Sequence, residues 1–235
     1  MKVTVDQAFW DLFPTARITV MSLYGIDNTV DEAKDPYFKE LLDKGAKRAW
    51  EFIDEENYTQ SEFVQEWRQA FSKFKTKKGA RSSIEALLKR VHQGREFYPI
   101  NPLVDLYNSV SMAYALPCGG EDMDKLVGGL SLGQAKGGEP FFPLGADEDA
   151  PALEGEIIYY DQEGAVCRCL NWREAQRTML TEDTKDAILV TEAINEEQAK
   201  RAQTAMQELK DLAKDYFGVE GTIHQLSAEH ASIEV

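Results

Sequence analysis

From residue 17 to residue 23 the chain reads RITVMSL, with polar and apolar positions alternating as on a half-buried strand. The apolar spacing then lengthens to that of a helix over residues 31–54 and 61–74. In the second stretch Phe63, Trp67 and Phe71 recur at every fourth position, a stripe suited to core packing. Ser82 and Glu85 stand at capping-box spacing before IEALLKRV, a helix expected to end near Gly94. Asn101 and Pro102 open another helix, because asparagine caps a helix N-terminus and proline is tolerated at its first position. That helix runs to about Tyr114, and Pro117 breaks it ahead of Gly119 and Gly120.

Strand patterns follow at residues 130–135, 156–161, 165–170 and 187–193, separated by turn-forming runs such as KGGEP and DQEG. Asn195 with Gln198 caps a long helix that Gly218 closes, and the tail holds a strand pair at about 222–226 and 232–235. No repeat and no low-complexity linker divides the chain. The pattern predicts an α+β fold in a single domain over residues 1–235. Its helical N-terminal part covers about 24–80 and its C-terminal helix about 196–217, around a β-rich middle.

The net charge of −15 disfavours a nucleic-acid partner in general, because phosphate binding rests on Lys and Arg. The distribution alters that picture. Lys73, Lys75, Lys77, Lys78, Arg81, Lys89, Arg90 and Arg95 stand within one stretch against Glu85 alone. Such a stripe can grip one polyanion, and it can equally be a solvated face. No apolar run approaches the roughly 20 residues that span a bilayer, so no membrane partner is expected. The start, MKVTVDQAFWDLF, lacks the apolar core and small-residue cleavage site of a secretory signal. Cys118, Cys167 and Cys169 leave an odd thiol, which fits a reducing cytoplasm better than a disulfide framework.

Phosphate-cradling glycine loops and the Gly-x-Ser-x-Gly elbow are absent, and no cofactor is expected. His92, His224 and His230 are not paired at metal-ligand spacing, so no metal is expected either. Cys167 and Cys169 on one strand would share a face as a small apolar pair. Three features carry candidate chemistry. Asn101, Asp105 and Asn108 form a polar stripe beside Leu103, Leu106, Tyr107, Val110 and Tyr114, on a helix that could also be simply amphipathic. Glu192 shares a strand face with Ile188, Val190 and Ile194, where a carboxylate is costly unless bonded; alternatively the strand ends early and Glu192 meets solvent. Arg168, Arg173 and Arg177 with Trp172 combine forked cations with a stacking surface suited to a single-stranded RNA end. Ion pairs to Glu174 and Glu182 would account for the same residues.

Taken in order, INPLVDLYNSVSMAYALPCGGEDMDKLVGG, LSLGQAKGGEPFFPLG, GEIIYYD, NWREAQRTMLTEDT and ILVTEA resemble the B-three/B-four domain of the phenylalanyl-tRNA synthetase β subunit. The resemblance is closer still to free-standing relatives of that domain, and it is strongest over about residues 81–195. It implies a barrel-like, mostly antiparallel β core with flanking helices. It also implies editing, the hydrolysis of the ester that joins a wrong amino acid to tRNA. The editing Glu falls on Glu192. The family's Val-Asp-x-Thr-Asn helix start falls on Val104, Asp105, Tyr107 and Asn108, so Tyr107 replaces the pocket Thr. The Pro-x-His turn falls on Pro117, Cys118 and Gly119, so Gly119 replaces the His. The expected function is a trans-acting aminoacyl-tRNA deacylase, with a non-catalytic tRNA- or amino-acid-binding module of the same fold as the rival. Glu192, Asn108, Gly119 and Gly120 would form the catalytic site, with Asp105, Tyr107 and Glu192 on the amino acid. Lys77, Lys78, Arg81, Arg90, Trp172 and Arg173 would meet the tRNA acceptor end, and DNA is not an expected partner.

Overall fold

A computed structural model describes residues 1–235. The chain runs through β1 (Lys2–Val5), α1 (Gln7–Leu12), β2 (Arg17–Leu23), α2 (Asp35–Ala49), α3 (Glu62–Phe71), α4 (Ser83–His92) and α5 (Pro102–Tyr114). Six strands follow: β3 (Cys118–Asp122), β4 (Leu130–Gln134), β5 (Ile157–Tyr160), β6 (Ala165–Arg168), β7 (Arg173–Glu174) and β8 (Ala187–Ala193). The chain ends with α6 (Glu196–Phe217), β9 (Thr222–Leu226) and β10 (Ser232–Glu234). No helix is long and apolar enough to cross a membrane.

The strands form two sheets, one of order β10-β1-β4-β5-β6-β7 and one of order β3-β8-β2-β9. Pairing is antiparallel throughout except where β1 runs parallel to β4. The fold is α+β, with two open sheets where a barrel-like core was expected. The tail strands do not pair with each other: β9 joins β2 and β10 joins β1, so the last residues tie one sheet to the other.

Two layers of apolar side chains cover the two faces of the four-stranded sheet. Leu103, Leu106 and Val110 of α5 and Ala202, Met206 and Leu209 of α6 pack with Met21 and Leu189 of the four-stranded sheet. The larger core joins Val20 and Val190 of that sheet to Leu132, Ile157 and Val166 of the other, with Phe63, Trp67, Ile84 and Leu88 of α3 and α4. The every-fourth-residue stripe of α3 is thus core packing. β8, central in its sheet and covered on both sides, is buried at every position.

Helix termini follow their caps where a side chain is free to bond. Asn101 accepts from the Val104 N–H, and Asn195 accepts from the Gln198 N–H while the Gln198 side chain accepts the Ile194 N–H. Gly218 closes α6 at φ 70°. The Ser82–Glu85 box does not form: Ser82 makes no capping bond, and Glu85 is drawn to Arg68 of α3 at 2.8 Å. β6 stops at Arg168 because Cys169 and Leu170 turn to φ 48° and 65°. That turn separates Cys167 from Cys169, which the strand pattern had put on one face.

Candidate functional site

Between the two sheets and α4 lies a cavity of about 560 Å³. β3 lines one side with Cys118, Gly119, Gly120 and Glu121, and α5 contributes Tyr107 and Asn108. Tyr159 of β5, Cys167 of β6, Glu174 of β7 and Glu192 of β8 complete the polar lining. Trp172, half-buried, and Arg173, exposed, stand at the mouth, the guanidinium 5.2 Å from the indole ring. Arg90, exposed on α4, also borders the opening and lies 4.5 Å from the Phe97 ring.

Glu192 is buried at 3% exposure near the end of a fully buried strand. Tyr159 donates its hydroxyl to one carboxylate oxygen at 2.7 Å, and Asn171 donates its amide to the other at 3.1 Å. Because Tyr159 belongs to the opposite sheet, this bond spans the two layers. Burial pushes the Glu192 carboxyl up to about 7, against the pull of the two hydrogen bonds toward its ordinary value. The solvent-facing alternative for Glu192 is excluded.

Three carboxyl groups share this cavity, and two were not singled out in the sequence. Burial, then the neighbouring Glu174, hold Glu121 well above its ordinary range. Burial likewise raises Glu174, to about 7, with the nearby Gly120 N–H pulling the other way. The ion pairs proposed for Glu174 and Glu182 are not made. A Cβ on Gly119 would sit 3.0 Å from the Glu174 Oε1, so Gly119 leaves room for that carboxylate. A Cβ on Gly120 would fall 2.5 Å from Leu189 Cδ2 and 2.9 Å from Leu180 Cδ1, a contact only glycine avoids. Glu121 sits in a Gly-Gly run that reads as a turn, and Glu174 among arginines that read as its partners. Both escape a pattern-based search.

The polar stripe of α5 divides. Asn108 is half-buried at the cavity, and its side chain makes no hydrogen bond within the protein. Asp105 lies outside it, lining a separate cavity of about 180 Å³ with Asn101. Its carboxylate accepts the Ile100 N–H at 3.0 Å, and burial raises its carboxyl to about 7. Tyr107 is buried in the cavity wall. Of the three arginines read as phosphate forks, only Arg173 is free. Arg168 is buried against Glu156, with bonds of 2.8 and 2.5 Å, and Arg177 grips Asp161 at 2.7 and 2.8 Å. Lys77, Lys78 and Arg81 are exposed and unpaired just before α4, outside the cavity lining. Burial pushes the Cys118 thiol up to about 12 and Cys167 well above its ordinary value, so neither supplies a thiolate nucleophile near neutral pH.

The family model for the B3/4 domain matches residues 66–221, which include every residue that lines this cavity. The chain belongs to the B3/4 domain family. This is the family whose motifs the sequence carries. No curated protein matches the chain. Among solved structures, the B3/4 chain is similar to an N-terminal fragment of the phenylalanyl-tRNA synthetase beta-subunit from Pyrococcus horikoshii. The two are 14% identical, with a TM-score of 0.44, and the match covers 93% of this chain and 49% of the other. The chain thus spans about half the length of that fragment.

Proposed function

We propose that this B3/4 protein hydrolyses the aminoacyl ester of mischarged tRNA in trans. The observation that carries this reading is Glu192, a carboxylate buried in an apolar cavity wall and oriented by Tyr159 and Asn171. A buried, fixed carboxylate at the base of an open cavity is suited to an ammonium group, which an aminoacyl ester carries next to its reacting carbonyl. The cavity volume, about 560 Å³, falls in the range of small-ligand sites and accommodates an aminoacyl group with its ribose. At the mouth Trp172 offers a stacking face to the terminal base and Arg173 a fork to phosphate. Arg90 and the exposed Lys77, Lys78 and Arg81 extend positive charge toward the acceptor stem.

In this reading Glu192 holds the α-ammonium and Asn108 and Tyr107 shape the wall around the side chain. Water attacks the ester carbonyl, the bond to the ribose oxygen breaks, and that oxygen takes up a proton as the free amino acid leaves. Glu174, raised into the range of a working base and adjacent to Gly120, takes the proton from the attacking water. The ester is already activated, so positioning supplies most of what the protein must contribute.

A binding module without hydrolysis is favoured by one observation: no histidine lines the cavity, and Gly119 stands where the resemblance implies one. Purified protein incubated with a panel of mischarged tRNAs separates the two readings. Ester loss above the uncatalysed rate for at least one pair, abolished in Glu192→Ala, supports the hydrolase. Binding with no ester loss across the panel leaves the module.

A further inference from the structure

One acidic group in the cavity has no use in this mechanism. Glu121 lies on β3 two positions beyond Gly119 and is 5% exposed. Its Oε2 is sealed from solvent and makes no hydrogen bond of good geometry in the protein; the side chain turned toward it is the neutral Thr178 hydroxyl, which has no other partner. A buried carboxylate oxygen without a partner costs several kcal/mol in ordinary packing, so its retention in a cavity wall points to a ligand that completes it. None of the protein's ion pairs includes Glu121, Glu174 or Glu192. The groups that face Glu121 are Glu174 of β7, the buried Thr178 hydroxyl, Tyr107 of α5, Cys167 of β6, and the Arg177–Asp161 pair. The one cation among them is already held by Asp161, with two bonds. No three His, Cys, Asp or Glu side chains converge as a metal site, so an organic cation is the fitting occupant.

We propose that this end of the cavity is a subsite for a cationic side chain, so that the aminoacyl group removed is a basic one. Its α-ammonium lies at Glu192, and its terminal ammonium or guanidinium lies at Glu121 beside Glu174. The proposal rests on the aminoacyl-ester reading and names its substrate class. The spacing suits it. Glu121 is paired across the β3–β8 ladder with Ile188, four positions from Glu192, which is about 13 Å of strand before the side chains reach inward. A lysine- or arginine-length chain bridges the two ends, whereas a short neutral side chain leaves Glu121 unsatisfied. At neutral pH the Glu121 carboxyl, raised well above its ordinary range by burial and by Glu174, holds a proton, and an arriving ammonium displaces it. Cation binding at Glu121 therefore releases protons and tightens as pH rises, the opposite of what protonated carboxyls donating to a neutral ligand would give.

Calorimetric titration of the full chain with lysinamide and norleucinamide, which differ in the terminal ammonium, tests this directly. Lysinamide should bind at least about tenfold more tightly. Repeating its titration in buffers of different ionisation enthalpy should reveal proton release. In Glu121→Gln the preference should fall to within about twofold while norleucinamide binding is kept, which also shows that the variant is folded. Equal affinities in the unmodified protein, or lysinamide binding without proton release, would overturn the proposal. Its failure is separable from that of the hydrolase reading. Ester loss from tRNA charged with neutral amino acids, without lysinamide preference, removes the subsite alone. Lysinamide preference without ester loss on any tRNA removes hydrolysis alone.

Discussion

Replacing Glu192 with glutamine should stabilise the protein above neutral pH while it removes function. The Glu192 carboxyl is 3% exposed and is raised from 4.5 to about 7. Between those values the folded protein keeps a proton that the unfolded chain has released, so stability falls as pH rises. This contribution is fully present below about pH 4.5 and is lost as pH climbs through about 7. At about 1.4 kcal/mol for each pH unit, the gap corresponds to about 3 kcal/mol. The amide introduced by Glu192→Gln carries no charge and keeps an oxygen for the Tyr159 hydroxyl. It lacks the second acceptor that faces the Asn171 amide, at a cost of about 1 kcal/mol. The net expectation is a gain of about 2 kcal/mol at about pH 8 and a loss of about 1 kcal/mol below about pH 4.5. Urea unfolding at the two pH values measures both. A loss of the same size at both would refute the reasoning, because the buried charge would then impose no cost.

The remaining predictions concern the walls and mouth of the cavity. Gly120→Ala forces a methyl against Leu189 and Leu180 and should cost about 1–3 kcal/mol, read as a lower midpoint in denaturant unfolding. Arg168→Leu leaves Glu156 buried and unpaired and should cost about 3–5 kcal/mol in the same measurement. Trp172→Ala should cost about 1–2 kcal/mol of stability, because the half-buried indole packs on the larger core, and should weaken binding of a tRNA acceptor-end oligonucleotide by about tenfold in fluorescence anisotropy, consistent with loss of one stacked base.

The sequence disclosed those parts of the fold that depend on local pattern. β8, α5 and α6 are set by a buried apolar run, an Asn-Pro start and an Asn-to-Gly frame, and each lies at or within a residue or two of its expected limits. Elements fixed by distant partners were not legible. β1 has four residues and exists because β4 and β10 flank it; β7 has two and exists because β6 pairs with it. The Ser82–Glu85 box has the right spacing, but an ion pair to Arg68 from another helix takes the Glu85 side chain. At the candidate site, alternation marked Glu192 as a carboxylate among apolar residues. It could not reveal that Tyr159 would reach it from the other sheet, because cross-sheet contacts leave no periodic trace. Glu121 and Glu174 were hidden for the same reason: their common feature is the cavity that brings them together, not their neighbours in the chain. Asp105 illustrates the converse. Its place on the polar stripe suggested the pocket, yet one turn of helix directs it to the Ile100 N–H instead.

The Glu192 cavity is proposed to receive the aminoacyl end of tRNA. A crystal structure with an aminoacyl-adenosine in which an amide replaces the ester tests it most directly. The adenine should lie against Trp172 and the α-ammonium within hydrogen-bonding distance of Glu192. An analogue seated elsewhere, with the cavity empty, would contradict it.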